Sequence, residues 1–316
     1  MAELSAGAWG LSAFAAAVET GLLARLAEPG EPETLAAATG LAPALVRRLL
    51  EVLLALGVVE RRDGGFAAAA GVPTGGRALD LLRADLRATI LQTADLAASA
   101  RSGSLSLEGW RHTDEVLLQA QGTMSAGAVD FLQHQLFPAV PGIVERLEAA
   151  SATFLDVGAG VGAVTIELCR RYPALRAVAL EPASAPLALA HRNVAAAGLE
   201  QRVELRAQLV QELADDRAFD IVWLPANFLP IDVLREALAV VHRALRPGGL
   251  VLLATLGGGG EDLASATARL RSALWGSDAV EPERVVALLE EAGYVDVVVM
   301  DRLPSRLRPI HARRVS

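Results

Sequence analysis

The chain has 316 residues, which is more than one hydrophobic core normally supports, so its length predicts two domains or one domain with a helical appendage. Its 37 acidic and 29 basic residues give a formal charge of −8, which argues against a nucleic-acid partner because phosphate neutralisation needs concentrated positive charge. One cysteine rules out an intramolecular disulfide, and the sequence has neither a positively charged leader nor an apolar stretch of about 20 residues, so we expect a cytoplasmic protein with no membrane partner.

Residues 1–103 are predicted to form a mainly helical domain. A short helix at residues 33–38 is followed by a longer one that has Pro43 in its first turn and is closed by Gly57. Two short strands then flank a turn at residues 63–65. Helix, turn, helix and hairpin in this order predict a winged helix.

The second helix of that unit decides between two uses of a winged helix. Residues 42–57 are mostly Leu, Ala and Val, and only Arg47 and Arg48 could meet phosphates. Base readout and backbone contacts both need polar or basic residues on the exposed face, so we expect an interface helix. A DNA-binding regulator stays open as the alternative of a different class.

Residues 104–150 are predicted to form a helical linker. Helical patterns at residues 77–100 and 112–150 are separated by a Ser- and Gly-containing stretch, which marks the boundary. Within the linker, small and polar residues at 121–125 interrupt the pattern and predict a break in the helix.

From Ser151 to the end, residues 151–316 alternate short β-rich runs with helical segments, which indicates an open parallel sheet covered by helices. The runs are FLDVG, RAVALEP, RVELRAQ, FDIVWLP, GLVLLATL and YVDVVVM.

The first of these runs leads into a glycine turn and a helix. Gly158, Gly160 and Gly162 lie between the strand and a helix predicted from about Ala163 to Arg171. Glycines at such a turn let the backbone approach a nucleotide closely, beside a helix N-terminus, although an ordinary tight turn has the same pattern. The next strand ends at Glu181, where a carboxylate can accept hydrogen bonds from both hydroxyls of a ribose.

Together with the LRPGG segment before the fifth run, these motifs resemble the class I S-adenosylmethionine (SAM)-dependent methyltransferases over residues 152–302. The winged helix and linker in front resemble the layout of small-molecule O-methyltransferases. The resemblance implies an α/β, Rossmann-like domain with a mixed seven-stranded sheet, preceded by a winged-helix dimerisation domain. It also implies SAM as cofactor, S-adenosylhomocysteine (SAH) as product, a small-molecule substrate and a homodimer formed through the N-terminal domain.

Residue roles follow from the same resemblance. Asp156 is expected near the methionine amino group, the three glycines beneath the methionine and ribose, and Glu181 at the ribose. Gln208 and Leu209 stand where the family usually has an acidic residue and an apolar residue at the adenine. The expected cofactor contacts are Asp156, Gly158, Gly160, Gly162, Glu181, Gln208, Leu209, Pro225 and Ser125.

The acceptor site departs from the family pattern. Related O-methyltransferases usually carry a His after the fourth strand, whereas this chain has Asn227 and Phe228, and an amide cannot abstract a proton at neutral pH. His112 and His134 in the linker are the candidate bases, and we choose His134. Carbon or nitrogen methylation, or a rearrangement or cyclisation without methyl transfer, stays open. The expected substrate contacts are Met124, Asn227, Phe228, Trp110 and Trp275.

Overall fold

The computed structural model describes residues 1–107, 109–256, 260–277, 280–301 and 307–315. The chain divides into two compact units. The first unit comprises Met1–Arg101 and Gln119–Met124, and the second comprises Ser102–Leu118 and Ser125–Ser316.

The first unit is mainly helical, with one two-stranded hairpin. Its elements in chain order are α1 (Ala2–Glu19), α2 (Leu22–Arg25), α3 (Pro32–Thr39), α4 (Pro43–Ala55), β1 (Val59–Arg62), β2 (Gly65–Ala68) and α5 (Gly76–Ser102). Pro43 is the first residue of α4, and Gly57 follows its C-cap with a φ of +70°, so both predicted helix boundaries are confirmed. The hairpin turn consists of Asp63 and Gly64 alone, both with positive φ, because Gly65 already pairs with Arg62.

The linker helix α6 (Glu115–Phe131) runs through residues 121–125 without interruption, so the predicted break there was wrong. One glycine lowers helix propensity by only about 1 kcal/mol, which the rest of the helix can offset. The interruption comes later, at the π-helical turn Leu132–Leu136 and the short 3₁₀ turn Phe137–Ala139, before α7 (Ile143–Glu148). Pro138 lacks the backbone N–H that would continue the helix.

The second unit is built on one sheet. Its strands are β3 (Thr153–Val157), β4 (Arg176–Leu180), β5 (Val203–Arg206), β6 (Phe219–Leu224), β7 (Leu245–Leu256), β8 (Tyr294–Val299) and β9 (Leu307–Arg314). Within the described residues these seven strands lie in the order β5-β4-β3-β6-β7-β9-β8. β9 is antiparallel to both of its neighbours, and the strands from β5 to β7 pair in parallel, so the expected mixed sheet is confirmed.

Helices cover both faces of this sheet. They are α8 (Ala163–Arg171), α9 (Ser184–Ala196), α10 (Ile231–Ala244), α11 (Leu263–Leu274) and α12 (Pro282–Glu291). One apolar core includes Leu238 of α10 and Leu289 of α12, and the other includes Leu168 of α8 and Leu136 of the linker. No described helix combines the length and the apolar character that crossing a bilayer requires.

The Arg-Pro-Gly-Gly turn lies at the amino end of β7. Arg246 forms an ion pair with Asp220, which also accepts a hydrogen bond from the backbone N–H of Thr153 at 2.9 Å. A Cβ atom on Gly249 would lie 2.8 Å from the carbonyl oxygen of Arg246, so only glycine fits there. The turn therefore holds β3, β6 and β7 together at the edge of the sheet opposite the glycine turn that follows β3.

Candidate cofactor and acceptor site

The order of the strands creates a topological switch point at the carboxyl ends of β3 and β6. From β3 the chain proceeds outward to β4 and β5, and it then returns to form β6 and β7 on the other side of β3. The loops after β3 and β6 therefore leave in opposite directions, and such a switch point is where open α/β sheets bind ligands. The glycine turn, Glu181 and the loop at residues 225–230 all follow strand ends at this edge.

The three glycines of the turn have different surroundings. Gly158, Gly160 and Gly162 have φ values of +66°, +58° and +78°, a region that side chains rarely adopt. A Cβ atom on either of the first two would meet nothing within 4 Å, whereas one on Gly162 would lie 3.5 Å from the Cβ of Ala190 on α9. Gly158 and Gly160 thus border open space, whereas a Cβ atom on Gly162 would be in ordinary contact with α9 and only its positive φ favours glycine there.

Glu181 is 8% exposed, and both of its carboxylate oxygens accept hydrogen bonds from the backbone. The N–H of Gly160 donates to Oε2 and the N–H of Ala183 donates to Oε1, each at 2.8 Å. Burial raises the pKa of Glu181, and the two N–H donors oppose that rise. A carboxylate has about four lone-pair sites, so it can still accept bonds from a ribose.

Asp156 lies within β3 and is 1% exposed. The hydroxyl of Thr165 donates a hydrogen bond of 2.6 Å to its Oδ2. Burial raises the pKa of Asp156 to about 7, Thr165 opposes this, and the charge of Glu181 adds to it. The carboxyl group is therefore poised between its two protonation states near neutral pH.

Two residues follow β5, at the edge where the adenine is expected. β5 ends at Arg206, so Gln208 and Leu209 lie beyond the strand and not at its last positions. The Nε2 of Gln208 donates to the carbonyl oxygen of Glu212 at 2.8 Å, and this bond fixes the direction of the amide. Leu209 is 46% exposed, which leaves an apolar surface beside this edge.

Three of the expected substrate residues form one aromatic cluster. The rings of Phe228 and Trp275 stack, with centroids 4.9 Å apart and an angle of 20° between their planes. Trp110 meets Phe228 and Trp275 edge-on at 5.8 and 6.1 Å. Asn227 is buried in the 3₁₀ turn Ala226–Phe228. The loop after β6 is thereby joined to the linker and to the segment after α11.

The two linker histidines lie in different environments. His112 meets Trp110 edge-on, with centroids 4.7 Å apart, and so extends the aromatic cluster. His134 is exposed in the π-helical turn, where its Nδ1 lies 2.8 Å from the carbonyl oxygen of Asp130. None of the ring contacts of the described cluster includes His134, and its role as the base stays a prediction.

Other sequence expectations had mixed outcomes. Met124 belongs to the first unit and Ser125 to the second, and the roles expected for them stay predictions. His242 is half-buried edge-on against Tyr294, because α10 packs where β8 begins. Sequence reasoning missed Thr165, although its place in the first turn of the helix after the glycine turn is a usable signal.

The comparisons with known proteins agree with this geometry. A family model described as a methyltransferase domain matches residues 154–249. The 3-hydroxy-5-methyl-1-naphthoate 3-O-methyltransferase of Streptomyces sahachiroi is 31% identical over 280 residues, which cover 81% of this chain and 76% of the relative. The first three curated relatives match over a smaller share of their own length, from 37% to 65%.

Two solved structures share the fold over almost the whole chain. The pyocyanin biosynthetic protein PhzM superposes with a TM-score of 0.69 at 20% identity, covering 99% of this chain and 97% of that one. Human N-acetylserotonin methyltransferase in complex with SAM gives a TM-score of 0.65 at 16% identity, covering 99% of this chain and 96% of that one.

Proposed function

The chain belongs to the class I SAM-dependent methyltransferases, and from this premise we propose that it transfers the methyl group of SAM to a small-molecule acceptor. One observation carries the proposal. Glu181 binds the N–H of Gly160 at the switch point of the sheet, and Gly158 and Gly160 border open space beside it. A buried carboxylate next to an open glycine turn fits a ribose better than it fits a purely structural role.

In this proposal Glu181 holds the ribose, the glycine turn lies beneath the methionine and ribose, and Asp156 lies near the amino group. Gln208 and Leu209 border the adenine, and Pro225 and Ser125 complete the cofactor contacts. When bound, SAM supplies a methyl group already activated by its sulfonium. The main task of the protein is then to align the acceptor and exclude water.

We further propose that the acceptor is a flat, largely apolar compound methylated on oxygen. Phe228, Trp275 and Trp110 offer aromatic surface beside the loop after β6, where the acceptor would lie, with Asn227 and Met124 as further contacts. The Streptomyces relative is named for methylating an oxygen on a naphthoate, which supports the same chemistry here. Of the two candidate bases, the contact between His112 and Trp110 favours His112 over our first choice, His134.

Calorimetric titration of the purified protein with SAM and SAH tests the cofactor. We expect both to bind, and no binding of either by folded protein at millimolar concentration would end the proposal. Incubation with SAM and a panel of hydroxylated aromatic acids then tests the acceptor, with SAH formed in equal amount to methylated product. Once an acceptor is found, His112→Ala and His134→Ala should retain SAM affinity, and loss of turnover identifies the base.

A second candidate function rests on the loop after β6. Residues 225–230 contain no ionisable side chain, and Asn227 is buried there. This favours acceptors that need no base, as in carbon or nitrogen methylation, or a SAM-dependent rearrangement without methyl transfer. Product that forms without stoichiometric SAH would support the non-methylating reaction.

We also infer a homodimer formed through the first unit. The order of α3, α4, β1 and β2 supports a winged helix. Large apolar side chains are exposed on the first unit, including Trp9 of α1, which is 76% exposed. On α4, Arg47 pairs with Glu33 and Arg48 with Glu51, which weakens the case for phosphate contacts. We expect the protein to work in the cytoplasm. Binding of a generic DNA duplex at low salt would support the alternative that the protein is a DNA-binding regulator.

A further inference from the structure

The carboxylate of Asp156 and the hydroxyl of Thr165 form a pair that links β3 to α8. Thr165 is fully buried, and its hydroxyl oxygen lies 2.6 Å from Oδ2 of Asp156. The backbone N–H of Thr165 also favours the charged form of this carboxylate. Two donors from one residue thus meet one buried carboxylate at the base of the glycine turn.

Burial and the charge of Glu181, which follows β4, both oppose ionisation of Asp156. The thiol of Cys169 lies further along α8. On the other side, β6 pairs Trp223 with Asp156 and adds no charged group beside it. No basic group among the described residues stabilises the ionised form of Asp156, which therefore depends on Thr165.

We propose that Thr165 is a positioning residue of the cofactor site, which orients the carboxyl group of Asp156 toward the α-ammonium group of SAM and stabilises its ionised form. This inference rests on the proposed function, because it takes the methionine part of SAM to lie over Asp156. Thr165 acts only through Asp156 and does not itself touch the ligand.

A measurable consequence is proton release on cofactor binding. In the free protein Asp156 has a pKa of about 7, so at neutral pH a large fraction carries a proton. An approaching ammonium favours the carboxylate, and the carboxyl proton leaves to the buffer. The bound state then holds fewer protons than the free state, so affinity rises with pH and levels off above the free pKa.

The first experiment uses the wild-type protein and SAM. The Kd measured by calorimetry should fall by up to about tenfold between about pH 6 and about pH 8, the range in which Asp156 becomes ionised. Titrations at neutral pH in phosphate and in Tris, which differ in ionisation enthalpy, should show a net release of protons. SAH carries the same ammonium group, so its binding should show the same pH dependence and the same release of protons.

The second experiment uses variants of Thr165. Thr165→Val removes the hydroxyl but keeps the shape and the backbone N–H, so SAM affinity at neutral pH should fall about tenfold, as for one lost hydrogen bond to a charged group. The pH at which affinity levels off should also rise. Thr165→Ser keeps a hydroxyl, so it should have close to the wild-type SAM affinity and the wild-type pH dependence. Thr255→Val is the matched control, because Thr255 is equally buried on β7 and its hydroxyl has no hydrogen-bond partner among the described residues.

The outcomes separate the two proposals. SAM binding by Thr165→Val with the same affinity and the same pH dependence as the wild-type protein would overturn the role of Thr165 and leave the proposed function standing. Failure of the folded wild-type protein to bind SAM would instead contradict the proposed function, and this inference with it. If Thr165→Val does not fold, Thr165→Ala, which also lacks the hydroxyl, replaces it in the same titrations.

Discussion

Glu181 joins two parts of the candidate site, because its carboxylate accepts hydrogen bonds from the N–H of Ala183, just before α9, and from the N–H of Gly160 in the glycine turn. Glu181→Gln keeps the size but turns an NH₂ group toward one of these N–H donors. We expect SAM affinity to fall at least about tenfold, from the loss of a charged hydrogen bond worth about 1.5 to 3 kcal/mol. Glu200→Gln, an exposed loop position, serves as the control in the same calorimetry. Unchanged affinity in Glu181→Gln would mean that the ribose lies elsewhere.

Gly160 is needed for two reasons that a pair of variants can separate. Its φ of +58° strains any side chain, and the space in front of it is open. Gly198 has a φ of +67° and equally open surroundings, but it lies between α9 and β5. Both alanine variants should lose about 1 kcal/mol of unfolding free energy in denaturant titrations. Only Gly160→Ala should also weaken SAM binding, and equal binding by the two variants would count against the turn as the cofactor site.

At the scale of elements, local signals predicted the second unit well. The glycine turn and the following apolar spacing predicted α8 from Ala163 to Arg171, and these are its bounds. Strand-end positions such as Glu181 were predictable because parallel strands bring their carboxyl ends to one edge. β9 was not among the predicted runs, because Arg, Pro and His alternate with its apolar residues and only its neighbours bury it.

Contacts between distant segments were beyond the sequence. Each aromatic residue could be proposed alone, but the stacking of Phe228 on Trp275 depends on how α11 packs against β7. The same holds for Trp110, whose edge-on contacts with Phe228 and Trp275 join the linker to these two segments. Tertiary packing, which periodicity does not encode, accounts for these omissions.

The Arg-Pro-Gly-Gly turn supports an element-scale prediction. A methyl group on Gly249 would press against the carbonyl oxygens of Arg246 and Asp220, at 2.8 and 3.1 Å, and backbone atoms cannot easily move. Gly249→Ala should therefore lower the unfolding free energy by about 1 to 3 kcal/mol, as for overpacking of a core. Gly75→Ala has no atom within 4 Å of the added carbon and is the control. Equal melting temperatures for the two variants would contradict this account of the turn.

At the scale of the whole molecule, the exposed apolar surface of the first unit predicts the oligomeric state. Trp9 and Leu4 are 76% and 66% exposed on α1, a helix rich in Ala, Leu and Gly. We expect a dimer by light scattering coupled to size exclusion, and Trp9→Glu should shift it to monomer because a charge would be buried at the interface. Leu263 in the second unit is 73% exposed, and Leu263→Glu should leave the protein dimeric. A monomeric wild-type protein would contradict the dimer.

The reactivity of Cys169 can report how often the core around α8 opens. Cys169 is the single thiol, it is fully buried on α8, and burial raises its pKa to about 11, so a disulfide reagent can react only after the core around α8 opens. The labelling rate of the native protein should therefore measure the population of opened molecules. Saturating SAM should slow labelling by a factor of one plus the ratio of ligand concentration to Kd. If the native protein were labelled as fast as the denatured protein, the thiol would be accessible without opening of the core.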